Sequence, residues 1–147
     1  MKVVTYSTIL ILGICVFAFA KITETQTAAS YIPQDALTES IKRGAVVYEE
    51  NCAVCHLGAG EGVANTFPPL AKSDWLTPDR REEAIRVVKY GQQGEIQVNG
   101  KTYNSTMANL GLYEDEVADV MNYILNNWGN SSDKMVTEEE VKGVTEK

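Results

Sequence analysis

Apolar and polar positions along the chain fall into a few separate patterns. Val3 to Ala20 carries no charge and is densest at Ile9-Leu10-Ile11-Leu12 and Val16-Phe17. Lys21 to Ala36 has no periodicity and is rich in Thr, Ala and Gln, which predicts a tether. From Thr38, a candidate cap, Ile41, Ala45, Tyr48 and Cys52 recur at helical spacing. A long loop follows from Leu57 to Leu76, with glycines at 58, 60 and 62 and the pair Pro68-Pro69. Thr77-Pro78-Asp79 reads as a helix start, a capping residue and then proline at the first helical position. That helix turns Ala84, Ile85 and Val88 inward and stops near Gly91. Between Glu95 and Tyr103, Ile96 and Val98 alternate ahead of Asn99-Gly100, a hairpin turn signal. Val117, Val120, Met121, Ile124 and Trp128 make a second apolar stripe, ended by Gly129. The chain beyond Asn130 is polar, with a short helix expected from Thr137 through Glu138-Glu139-Glu140. The pattern predicts an all-α protein of three to four short helices, with one small β-hairpin and many loops.

A chain of 147 residues fits a single domain. Short helices on glycine-rich connections offer little core to offset backbone ordering. Something other than side chains is therefore expected to fill the middle. The chain has 13 Lys plus Arg against 20 Asp plus Glu, a formal net charge of −7. That balance argues against nucleic acid and anionic membrane surfaces as partners, since phosphate would repel it.

Met1-Lys2, the uncharged run to residue 20 and the small-x-small ending Ala18-Phe19-Ala20 read as an export signal. An uncleaved membrane helix is the alternative, but Thr5, Tyr6 and Ser7 leave its apolar part short of the roughly 20 residues that span a bilayer. A lipoprotein reading through Cys15 is weaker, because Ile14 precedes it. The expected layout is a signal at 1–20, a linker at 21–36, a domain at 37–130 and a polar tail at 131–147. Export implies a periplasmic location, with membrane contact only if residues 3–20 are retained.

Outside the cytoplasm two neighbouring thiols must be oxidised, metallated or otherwise consumed. The mature chain holds both of its cysteines and its one histidine in Cys52-Ala53-Val54-Cys55-His56. That is the attachment motif for c-type haem. Near a helix end this spacing lets both sulfurs reach the two vinyl groups of one porphyrin edge, and the next residue turns its imidazole under the iron. A thioredoxin-like dithiol would need a strand ahead of Cys52, and none is predicted. A structural zinc site needs four ligands, and only three Cys and His residues remain after export.

With its one histidine spent, the chain has Met107, Met121 and Met135 for the opposite face of the iron, or leaves that face open. Met121 sits on the apolar stripe and is expected to pack, whereas Met135 lies in the polar tail and is expected to be exposed. Met107, in the irregular run Asn104 to Asn109, is the favoured ligand, because a loop can carry a thioether across a porphyrin without breaking a helix. His/Met ligation raises the reduction potential and blocks the position where oxygen or peroxide would bind. The expected function is that of a one-electron carrier, not an enzyme. A peroxidase or gas-binding protein with an open iron face is the competing reading.

From Thr38 to Gly129 the chain resembles a class I, mono-haem cytochrome c. Gly44 and Tyr48 stand eight and four residues before Cys52, as in that family's N-terminal helix, and Tyr123 and Ile124 match the aromatic-aliphatic pair of the helix that crosses it. The resemblance implies the cytochrome c fold around a covalent haem, with the hairpin ahead of the axial methionine. It implies that the Pro68 carbonyl accepts the second ring N–H of His56 and that Leu70 packs on the porphyrin. Trp75 and Tyr103 become candidate donors to haem propionates, and Tyr90 a weaker one. Many relatives follow the methionine with proline, which stiffens the loop; here Ala108 follows Met107. The runs Val98 to Asn104 and Trp128-Gly129-Asn130 further resemble cytochrome domains found beside or fused to periplasmic oxidoreductases. Copper nitrite reductases, terminal oxidases and quinoprotein dehydrogenases are examples. Permanent attachment to such an enzyme is therefore an alternative to free shuttling. With an acidic chain, the redox partner is expected to dock through a basic surface.

Overall fold

A computed structural model describes residues 34–147. The expected export signal and nearly all of the expected linker lie outside the described residues. The elements run α1 (Gln34–Asn51), α2 (Ala53–His56), a 3-10 turn (Pro78–Arg80), α3 (Arg81–Tyr90), β1 (Ile96–Val98), β2 (Lys101–Tyr103), α4 (Glu114–Ile124) and α5 (Glu138–Gly143). The mostly helical class with one small hairpin is as expected. Helix α1 begins four residues ahead of Thr38, taking in the last residues read as linker.

The hairpin pairs β1 antiparallel to β2 with Ile96 opposite Tyr103 and Val98 opposite Lys101. Asn99 and Gly100 both have positive φ, 51° and 72°, the conformation a two-residue hairpin turn demands. The last stripe behaves as read as far as Ile124: Val117, Val120, Met121 and Ile124 are buried along α4. The helix then ends, and Trp128 sits beyond it with positive φ.

Helix α1 crosses α4 where Gly44 lies against the Asp119 backbone; a Cβ at position 44 would stand 2.0 Å from the Asp119 carbonyl oxygen. Polar side chains lock the crossing. The Ser40 hydroxyl donates to Asp119 Oδ1 at 2.6 Å and accepts from Asn122 Nδ2 at 2.8 Å. Arg43 donates to both Asp119 oxygens, at 2.6 and 2.7 Å. On the far side of the crossing, Tyr48, Tyr123 and Trp128 pack with ring centroids 4.8 to 5.3 Å apart. The Tyr48 hydroxyl donates to the Leu57 carbonyl at 2.7 Å, which anchors the loop leaving α2. The apolar core forms two clusters, one around Ile85, Val117 and Met121 and one around Tyr48, Val120 and Ile124, with Leu76, Val88 and Leu112 touching both.

Residues 131–147 were expected to be a polar tail. They contain the short helix at Thr137, whose Oγ1 accepts from the Glu140 N–H, but they also bury Val136, Val141 and Val144 in the core. Met135, expected to be exposed, is half-buried.

Candidate cofactor site

The loop-rich half of the molecule wraps an apolar cavity of about 1000 Å³, counted out to its open mouth. Cys52, Cys55 and His56 form one wall of it. They come together because the chain leaves α1 and immediately makes one more helical turn. The Cys55 and His56 amides both donate to the Cys52 carbonyl, at 3.1 and 2.9 Å. That turn leaves Val54 80% exposed and puts the two cysteines on the cavity side. Both are free thiols. Burial first, and then the neighbouring Cys55, push the Cys52 thiol up to about 11. It is therefore neutral near pH 7, unlike the acidic thiolate of a redox dithiol.

His56 Nδ1 lies 3.0 Å from the Pro68 carbonyl oxygen. A carbonyl can only accept, so Nδ1 carries the proton and Nε2 presents a lone pair. Burial holds the imidazole pKa below its ordinary value, and the bond to Pro68 works against that shift. The ring is thus neutral and fixed in one tautomer, the form in which an imidazole binds a metal.

Leu70, Trp75 and Tyr103 also line the cavity. The Trp75 indole N–H donates to the Gln97 carbonyl at 2.6 Å, so its one proton is already used. Its ring face lines the cavity, and the Arg80 guanidinium sits 3.7 Å from the ring centroid. Tyr103 is 4% exposed, at the far end of the hairpin from the turn. The Tyr90 hydroxyl donates to the Val144 carbonyl and takes no part in the lining.

Met107 and Met121 both line the cavity, and Met135 does not. Met121 is fully buried in the α4 core, as expected of a packing residue. Met107 is half-buried on the loop between β2 and α4. Its backbone pairs with Gln92, just past α3, in an isolated antiparallel bridge. Sequence reasoning did not find Gln92, because a backbone pairing fifteen positions away leaves no residue signature.

The donor set fits a covalent porphyrin. Two cysteine sulfurs, one imidazole nitrogen and a thioether face one apolar cavity, the mostly apolar setting with a few placed polar groups that cofactors occupy. Among the described residues no three His, Cys, Asp or Glu side chains are grouped to hold a bare metal ion. A helical shell closed on such a cavity defines the class, a small protein that carries a haem.

The family model for cytochrome c matches residues 41–128. Cytochrome c-552 of Thermus thermophilus is 40% identical over 107 residues, covering 67% of this chain and 81% of that one. The cytochrome c subunit of a quinone alcohol dehydrogenase of Gluconobacter oxydans is 34% identical over 103 residues, 67% of this chain and 21% of the subunit. The cbb3-type cytochrome c oxidase subunit FixP of Bradyrhizobium diazoefficiens is 31% identical over 86 residues, 56% and 28% respectively. The chain belongs to the cytochrome c family. It is an electron carrier with one covalently attached haem c.

Proposed function

We propose that Cys52 and Cys55 form the two thioether bonds and that His56 Nε2 and the Met107 sulfur hold the iron from opposite sides. The observation that carries this reading is the His56–Pro68 bond beside Cys52 and Cys55 in a cavity that Met107 also lines. The haem, when bound, supplies the one-electron couple. The chain's own part is to keep the ligands still between oxidation states and to keep water away. Pro68 fixes the ring proton on Nδ1, Leu70 and the Trp75 ring exclude water, and the Tyr103 hydroxyl is available to a haem carboxylate.

The carrier works after export, in the periplasm, and passes single electrons between redox proteins that dock through a basic surface. The names of two relatives, a quinone alcohol dehydrogenase subunit and a cbb3-type oxidase subunit, favour a second reading: lasting attachment to a larger oxidoreductase. Purification from native membrane and soluble fractions separates the two. A carrier is recovered alone, whereas a subunit travels with its enzyme.

The ligand assignment is tested with two methionine variants. Met107→Ala should abolish the sulfur-to-iron absorption band of the oxidised protein, lower the reduction potential and let the reduced protein bind carbon monoxide. Met121→Ala should keep the band and lose about 2–5 kcal/mol of stability, the usual cost of truncating a core methionine. A band that survives Met107→Ala and vanishes in Met121→Ala reverses the assignment.

A further inference from the structure

The Met107 loop is largely solvent-facing: Asn104, Thr106, Ala108, Asn109, Leu110 and Gly111 are all exposed. A thioether is a weak ligand, so a ligand on such a loop keeps its place only if the backbone is held in the bound conformation beforehand. Proline after the methionine would do part of that, and Ala108 stands there instead. The holding device lies elsewhere. The Gln92 N–H donates to the Met107 carbonyl at 2.8 Å, and the Met107 N–H donates to the Gln92 carbonyl at 2.8 Å.

The approach depends on the preceding residue. Gly91 ends α3 with φ +86° and donates its N–H to Val87, so it is fixed to a helix whose Ala84 and Ile85 are buried. A Cβ at position 91 would stand 2.5 Å from the Met107 carbonyl oxygen, 2.9 Å from the Asn109 nitrogen and 3.0 Å from the Ala108 carbonyl carbon. All three atoms are backbone, so none can swing away as the end of a side chain can. On its other side the loop is tied by the Ser105 hydroxyl, which donates to the Thr66 carbonyl at 2.5 Å.

We infer that Gly91 and the Gln92 backbone are the positioning residues for Met107: the paired amides fix the ligand's backbone, and the missing side chain at 91 permits the pairing. This rests on Met107 being the axial ligand. The bridge gives a loop without proline the stiffness that keeps sulfur on iron.

The test compares Gly91→Ala with Gly94→Ala in the full-length holoprotein. Gly94 has φ +88° but no atom within 4 Å of its would-be Cβ, so it bears the same left-handed cost without the clash. In Gly91→Ala the iron–sulfur band should melt at least about 5 °C below that of Gly94→Ala. Helical circular dichroism should persist through that transition, and the reduction potential should fall. Equal band melting and equal potentials in the two variants overturn the inference. Met107→Leu keeps the two layers apart. A band that survives in it sinks the axial reading, while a band lost there but unmoved by Gly91→Ala sinks only the positioning role. Should Gly91→Ala yield no holoprotein, amide hydrogen exchange on the unmodified protein decides. The Gln92 and Met107 amides should be protected at least tenfold over those of Thr106 and Ala108, and exchange at the rate of those neighbours refutes the bridge.

Discussion

Gly44 sets how closely two helices approach, and so how the walls of the cavity meet. A methyl group there would overlap the Asp119 carbonyl and press on Tyr123 Cβ, 2.9 Å away. Relief would require α1 to lift off α4, parting the buried Ser40–Asp119–Asn122 knot and the Tyr48–Tyr123 contact together. Gly44→Ala should therefore cost about 3 kcal/mol, the upper end of overpacking penalties. Guanidinium unfolding of the holoprotein checks this as a lower midpoint at unchanged slope; an unchanged midpoint would mean the crossing is loose. At this scale the sequence was most legible where chemistry and spacing coincide. Cys52, Cys55 and His56 share one cavity because their separation equals a helical turn. Trp75 was placed at the cavity correctly, yet its N–H serves Gln97. That bond comes from a strand twenty-two positions away, which spacing does not record.

Elements with strong periodicity, α4 and the hairpin, were legible from the stripe and the Asn-Gly turn. The C-terminal segment was not. Its three buried valines are too few to make a stripe, and what docks them is long-range. Arg81 donates to both Glu140 oxygens, at 2.6 and 2.8 Å, and to the Met135 carbonyl. Lys89 donates to the carbonyls of Val141 and Val144, and Asn122 pairs with both backbone groups of Val136. This segment closes the back of the core that the cavity opens at the front. Arg81→Ala should cost about 1–3 kcal/mol, in the range for hydrogen bonds to charged groups, and expose the segment to limited proteolysis. The pair also sets a pH dependence. Hydrogen bonding from Arg81 holds the Glu140 carboxyl below its ordinary value against the opposing effect of burial, and the charges of Arg81 and Lys134 add to it. A lowered folded pKa stabilises fully above the ordinary glutamate value of about 4.3 and fades as pH falls through the lower folded value. The melting-temperature gap between the unmodified protein and Glu140→Gln should accordingly close below pH 4, and a gap constant down to pH 3 would show that the pair contributes nothing.

Over the whole molecule, the cavity and the net charge act on different lengths. Leu76 and Val88, which touch both core clusters, also line the cavity, so a rigid planar group completes an interior that short helices leave open. That is why the sequence, with its loop fraction, pointed to a filled middle. Val54, 80% exposed between the two cysteines, offers an apolar surface next to the proposed attachment site. Charge governs the approach from farther off. If the partner docks through a basic surface, as proposed, a chain carrying −7 would attract it over about one Debye length, ~10 Å at 0.1 M salt, and raise the encounter rate rather than the strength of the final contact. Stopped-flow electron transfer to a basic redox protein should therefore slow as salt rises from 10 mM to 500 mM, with the unimolecular step unchanged. An acidic partner of equal potential should show the opposite slope, because salt screens repulsion. Rates to the basic protein that stay flat or climb with salt would rule out a docking surface chosen by charge and leave apolar contact around Val54 to select the partner.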